Sequence, residues 1–151
     1  MADWVDPNMH MNMAYYMVAF DRATDALLEQ LGLSYAYTRH ELGMIFVLEA
    51  HVTYKQELRE GDPIGVATQI VDHNRKLMHI FHSMTHAEDG FAAAACDLLL
   101  LHVDFKTRRS APWPKACTAQ IGAMFAAHRL VPRPDWAKQR VLLAPSPGAA
   151  P

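Results

Sequence analysis

The stretch Asp6-Pro7-Asn8-Met9-His10-Met11-Asn12-Met13-Ala14-Tyr15-Tyr16 leads into a segment that reads as one long amphipathic helix ending at Leu31-Gly32. From Asn12 to Leu31 the apolar residues Tyr16, Ala19, Phe20, Ala23, Leu27 and Leu31 recur at helical spacing, while Asp21, Arg22, Asp25 and Glu29 take the other side. This spacing predicts a helix of about five turns. Asn12 or Asn8 is placed to accept a hydrogen bond from the first free N–H groups, and Gly32 stands where a left-handed residue would stop the helix. Alanines at 19, 23 and 26 leave that side slim enough to lie close against a sheet.

Working outward, a polar loop is expected from Ser34 to Glu41, after which the apolar period becomes strand-like. Four extended runs follow: Met44 to Gln56, Ile64 to Asp72, Leu77 to Ala87 and Phe91 to Phe105. Gly61-Asp62-Pro63, His73-Asn74-Arg75-Lys76 and Glu88-Asp89-Gly90 supply residues that accept the backbone angles of tight reversals. The short connections predict hairpins, and so an antiparallel meander. Along the third run His79, Phe81, Ser83 and Thr85 alternate with Met78, Ile80, His82, Met84 and His86, a pattern suited to a helix on one face and a partner subunit on the other. A short helix is expected from Lys115 to His128. The fold class is thus α+β. We divide the chain into a domain over 1–114, a helical extension packed on it over 115–143, and a flexible Pro-, Ala- and Gly-rich tail over 144–151.

Composition narrows the function classes. The chain has 151 residues, 51% of them apolar, which suits one core. A formal net charge of -2, with Lys and Arg dispersed, argues against nucleic acid as a partner. Two cysteines without Cys-x-x-Cys spacing fit neither a zinc site nor a disulfide framework, and suit a reducing cytoplasm. The first residues lack a signal-peptide pattern, and the most apolar segment, Phe91 to Val103, is interrupted by Asp97 and His102 and is too short for a membrane span. Nine histidines invite a metal hypothesis, but they are scattered and show no ligand spacing, so no metal is expected.

A helix followed by an antiparallel sheet resembles the plan of hot-dog folds, in which a curved sheet wraps a long central helix. The opening stretch is similar to the thioesterase signature Asp-x-x-Gly-His-(apolar)-Asn-x-x-x-Tyr, with Asp6, His10, Asn12 and Tyr16 at matching positions. The resemblance continues through Tyr54-x7-Asp62, Leu77-Met78-His79-Ile80-Phe81-His82 and Leu100-Leu101-His102-Val103-Asp104, and covers about residues 4 to 114. It implies an acyl-CoA thioesterase of the 4-hydroxybenzoyl-CoA thioesterase-like superfamily. The later segments are similar to a narrower group, the betainyl-CoA thioesterases of carnitine breakdown. In the wider family an acid at the position of Asp6, followed by Pro, is the catalytic group. The resemblance also implies a homodimer or tetramer with the site at a subunit interface, and coenzyme A enters only as part of the substrate.

Chemistry gives an independent reason for a carboxylate just ahead of a helix. Thioester hydrolysis needs an attacking carboxylate or water and donors for the charge that builds on oxygen. A helix start offers free N–H groups reinforced by the helix dipole. Asp6 is accordingly expected to act as nucleophile or general base, the N–H near Met13 to polarise the thioester carbonyl, and His10 and Asn12 to support them. Met9, Tyr16, Glu49 and His51 are the expected substrate contacts. Period-two alternation puts Val47, Glu49, His51 and Thr53 on one face, where a carboxylate and nearby aromatics would suit a quaternary ammonium acyl group. Arg75, Lys76, Arg108 and Arg109 offer charges for coenzyme A phosphates or simply a solvated surface. Each site residue has a structural alternative: Asp6, Asn8 and Asn12 as turn and cap residues, Tyr16 as core, Glu49 and His51 as surface.

The chain departs from the signature at two points. Met9 replaces the usual Gly, and is expected either to take an ordinary conformation in a reshaped loop or to protrude into the acyl pocket. Only five residues precede Asp6 where the family has a full strand, so either the sheet lacks that strand or the sequence begins late. Two rival functions remain. Hot-dog enoyl-CoA hydratases carry Asp-x-Asn-Pro-x-His, from which this chain differs in spacing and in the place of Pro. A non-catalytic acyl-CoA-binding domain is the other.

Overall fold

Helix α1 spans Met13–Gln30 in the computed structural model, which describes residues 4–137. Asn12 caps it, its side-chain oxygen accepting from the Ala14 N–H at 3.0 Å. At the other end Gly32 takes φ +73°, the Leu33 N–H donates to Leu28 O and the Gly32 N–H donates to Glu29 O. That paired closure ends a helix by satisfying its last carbonyls, and the left-handed residue it needs is most cheaply glycine. The predicted loop after it contains a short helix instead, α2, Tyr35–Arg39. The Tyr37 N–H donates to Ser34 O there, so Ser34, read as loop, starts a helical turn.

Four strands form one antiparallel sheet: β1 Met44–Tyr54, β2 Ile64–His73, β3 Leu77–His86 and β4 Ala92–Val103. Their order is β1-β4-β3-β2. The last three strands make the predicted meander, with Asn74 closing the β2–β3 turn by accepting from the Lys76 and Leu77 N–H groups. The expected hairpin between β1 and β2 does not form. β1 pairs with β4, from Met44↔Val103 to Tyr54↔Ala94, and residues 55–63 cross from one edge of the sheet to the other. The crossover is held by Leu58, which is 1% exposed and whose N–H donates to the Tyr16 hydroxyl. Burying one leucine outweighs the local preference for a tight turn; its transfer alone stabilises by roughly 1.5–3 kcal/mol.

Met78, Ile80, His82 and Met84 of β3, with Ala94, Cys96, Leu98 and Leu100 of β4, face α1 and pack with Phe20, Leu27 and Leu28. His82 is the polar member of this interior. Its Nδ1 lies 2.9 Å from Thr68 Oγ1, its Nε2 lies 2.9 Å from Thr24 Oγ1, and Thr24 in turn donates to Phe20 O. Since the Thr24 proton goes to that carbonyl, Nε2 carries the ring hydrogen and Nδ1 accepts from Thr68. Burial lowers the His82 pKa to about 4.

Helix α3, Lys115–His128, adds Cys117 and Ile121 to the same core. Ala23 and Ala26 face a cleft toward α3 and β2 rather than the sheet alone. Beyond α3 the chain passes over the face of the sheet turned away from α1: Gln69 donates to Val131 O and the Arg133 guanidinium lies 5.9 Å from the Phe81 ring centre. The second face of β3, expected to meet a partner subunit, is thus covered in part by the chain itself. On that face His79 and Asp97 form a buried pair at 2.7 Å. Val5 makes a single bridge to Met11, and the sheet has four strands among the described residues. The tail over 144–151 and the end of the 115–143 extension lie outside the described residues.

Candidate active site

The loop ahead of α1 is built on its own backbone. The Asp6 N–H donates to His10 O at 2.8 Å and the Met9 N–H to Asp6 O at 3.0 Å. One carboxylate oxygen of Asp6, Oδ1, accepts from the Asn8 N–H at 2.8 Å and from the His10 N–H at 3.2 Å. The His10 N–H, and after it the Asn8 N–H, hold the Asp6 pKa below its ordinary 3.8. Asp6 is therefore both the turn residue its sequence context allows and an ionised carboxylate at the helix start.

Met9 takes φ +67°. It adopts the left-handed backbone for which glycine is favoured, so the expectation of an ordinary conformation is corrected: the turn that serves Asp6 imposes the angle whatever the side chain. The cost for a residue with a Cβ is about 1–2 kcal/mol. The side chain is 67% exposed, so no packing offsets that cost within the protomer.

Downstream of the turn, the Met11 N–H donates to Leu58 O and His10 bridges Arg59, which fastens the loop to the crossover. The same contact sets His10 Nδ1 3.0 Å from Glu57 Oε2. Asn12 is engaged as the cap, and the Tyr15 N–H donates to Asn12 O. The Met13 N–H makes no hydrogen bond among the described residues and remains available at the positive end of the helix. Tyr16 is buried and meets Tyr54 edge to face at 5.1 Å. Together with Lys55, Gln56 and Glu57 they line a cleft of about 380 Å³, and the Tyr54 hydroxyl reaches Met13 O at 3.5 Å.

Glu49 and His51 are not brought to this cleft within the protomer. A bulge between Val47 and Glu49 breaks the expected alternation, pairing Val47 with Leu100 but Glu49 with Leu99, so Val47 and Glu49 lie on opposite faces. Glu49 and His51 occupy the face turned away from α1. Arg75, Lys76, Arg108 and Arg109 lie at the other end of the strands, on the order of 30 Å from Tyr54 along β1. Sequence reasoning missed Glu57 and Leu58, because 55–63 read as the approach to a hairpin. The segment Tyr54-x7-Asp62, part of the family resemblance, enclosed both, and Asp62 closes it by accepting from the Arg59 N–H at 2.8 Å.

Neither cysteine is a candidate nucleophile: burial pushes the Cys96 thiol up to about 12 and raises that of Cys117. No helix among the described residues is long and apolar enough to cross a membrane.

A long helix wrapped by a curved antiparallel sheet is the hot-dog architecture, and at the helix start a carboxylate lies near one unengaged backbone N–H. The Thioesterase-like superfamily matches residues 1–121, and the chain belongs to that family. Betainyl-CoA thioesterase of Pseudomonas aeruginosa is 37% identical over 144 residues, which are 95% of this chain and 90% of that protein. The L-carnitine dehydrogenase/betainyl-CoA thioesterase of Rhizobium meliloti is 30% identical over 93% of this chain, which spans 28% of that longer protein. A Staphylococcus aureus protein solved in complex with CoA superposes with a TM-score of 0.86 at 27% identity, covering 95% of this chain and 90% of the other. The protein is an acyl-CoA thioesterase, which sets aside the hydratase and the non-catalytic binding domain.

Proposed function

We propose that this chain hydrolyses betainyl-CoA, with Asp6 as the attacking carboxylate and the Met13 N–H as donor to the carbonyl oxygen. The observation that carries the reading is the pair of backbone N–H groups on Asp6 Oδ1, one turn ahead of the unengaged Met13 N–H. A carboxylate held below its ordinary pKa is ionised at neutral pH, as a nucleophile must be. Asp6 Oδ1 is tied to the loop, so Oδ2 is the attacking atom.

The acyl group is assigned from two lines of support. The Pseudomonas aeruginosa relative, of nearly the same length, is named for betainyl-CoA. The cleft beside the helix start offers the rings of Tyr16 and Tyr54 and the carboxylate of Glu57, chemistry that suits a trimethylammonium group. Self-association completes the reading. β1 is an edge strand, and Phe46, Val47 and Leu48 on it are 42–50% exposed, a surface that a second copy would cover by strand pairing.

Thiol release from betainyl-CoA and from its uncharged isostere tert-butylacetyl-CoA tests the specificity. The charged ester should be turned over with the higher kcat/KM by about tenfold; equal values would remove the betainyl assignment. Sedimentation of wild type and Leu48→Lys tests the assembly. A monomeric wild type would refute the pairing.

A further inference from the structure

The contact between His10 and the crossover has no part in the reading above. We propose that Glu57 is a positioning residue for His10, and that His10 Nε2 is the base which takes a proton from the hydrolytic water. The inference rests on Asp6 as nucleophile.

The neighbouring charge selects the tautomer. Glu57 Oε2 lies 3.0 Å from His10 Nδ1, and a carboxylate has acceptor oxygens and no hydrogen to give, so it favours the ring form with the hydrogen on Nδ1. In the neutral ring the lone pair then sits on Nε2, and Nε2 makes no hydrogen bond among the described residues. Glu57 also lines the cleft with Tyr16 and Tyr54, so the partner of His10 borders the space assigned to the acyl group. Its placement does not depend on the side chains alone. The Met11 N–H to Leu58 O bond and the His10 to Arg59 bridge hold the two backbones in register, at the first and second residues after Glu57. Leu58, buried at 1% exposure, prevents the crossover from drifting.

The chemistry has two steps. Asp6 Oδ2 bonds to the acyl carbon, the C–S bond breaks, and its electron pair leaves with sulfur as the coenzyme A thiolate. Water then adds to the acyl carbon of the resulting anhydride. Its proton passes to His10 Nε2, the bond from acyl carbon to Asp6 oxygen breaks, and the electron pair returns to Asp6 as a carboxylate. The proton on His10 is released to solvent or to the thiolate, which restores the starting state. An imidazole held through Nδ1 and free at Nε2 is the arrangement a general base requires.

The test is pre-steady-state thiol release from full-length Glu57→Gln with tert-butylacetyl-CoA, whose uncharged acyl group removes any contribution of the Glu57 charge to substrate binding, beside wild type and Asp6→Asn. Glutamine keeps the shape but can present its amide hydrogen to Nδ1, which stabilises the other tautomer. The second step should slow, so Glu57→Gln should release close to one equivalent of thiol per site in a burst, followed by turnover on the order of tenfold slower than wild type, with KM lowered about as much and kcat/KM, which the first step sets, little changed. Glu57→Asp, with a carboxylate too short to reach, should fall between the two. Unchanged turnover, or slower turnover without a burst, or a loss carried by a raised KM, would overturn the assignment. Glu57 is exposed, and its thermal midpoint serves as the check that the fold is intact. Asp6→Asn reports on the underlying reading separately: it should show no burst and turnover lowered by about 10²–10⁴-fold, and wild-type activity there would bring down the nucleophile rather than the positioning of His10.

Discussion

The two ends of the polar chemistry on α1 differ in what they leave unmatched. At the helix start the Met13 N–H is open, Asp6 Oδ2 has only a long 3.5 Å contact with the Asn8 amide, and Met9 carries an unrelieved left-handed backbone. Near the middle of the helix the chain Thr68, His82, Thr24, Phe20 O uses every donor it has, in complete burial for His82. A buried polar group without a partner costs about 1–3 kcal/mol, so the interior tolerates none. An exposed loop pays less for spare hydrogen-bonding capacity, and spare capacity is what a reacting thioester needs. The difference separates a helix start with open hydrogen-bonding groups, where the proposed catalysis falls, from a helix middle committed to docking on the sheet.

The sharpest way to break this comparison is at Asp6. Asn retains an oxygen for the Asn8 and His10 N–H groups, so Asp6→Asn should fold while losing about 10²–10⁴-fold in thiol-release turnover. Acid should strike the other site. In the unfolded chain His82 titrates near 6.5, and in the fold at about 4. Above pH 6.5 both states are neutral and the full stability is present. As pH falls from 6.5 toward 4 the unfolded chain takes up a proton that the fold refuses, and stability should drop by up to about 3 kcal/mol, levelling off below pH 4. Urea unfolding at pH 7.5 and pH 4.5 measures it, and His82→Leu should flatten that window.

Thr24→Val removes the oxygen that accepts from His82 Nε2 and strands a buried donor. A loss of about 1–3 kcal/mol is expected, read as a lower urea midpoint at pH 7.5 with turnover little changed. The smallest effect belongs to Met9→Gly, which relieves the left-handed backbone and gives back part of that gain as unfolded-chain entropy. Stability should rise by about 0.5–1 kcal/mol in the same assay. A decrease would show that the exposed Met9 side chain is packed in the assembled protein.

Much of the fold was legible because it depends on local patterns. Helix α1 was placed to within one residue at each end by its apolar spacing, Asn12 and Gly32, and α3 by its alanine-rich run. Three strands in a meander followed from turn residues that lock their own backbone, Asn74 above all. What failed was anything decided by a distant partner. Leu58 looks like any leucine beside a turn until Tyr16 and the Asp6 loop are in place. The bulge after Val47 has no local signal, yet it turned Val47 and Glu49 to opposite faces. In the candidate site, the turn at Asp6 and the cap at Asn12 were readable because a loop and a helix start are contiguous in the chain. Glu57 was not, since it meets His10 only after the crossover has been laid down.

The sequence by itself determined the chemistry at the start of α1: a carboxylate, a cap and a run of residues committed to a helix, all within a few positions and held by hydrogen bonds between near neighbours. Only the tertiary structure decided what surrounds that carboxylate. The crossover from β1 to β2 is fixed by burial of Leu58 against residues far away in the chain, and it alone carries Glu57 to His10. Hydrogen bonds within a turn are set by short-range sterics, whereas burial is shared among all the residues that exclude water together, and no segment read alone contains it.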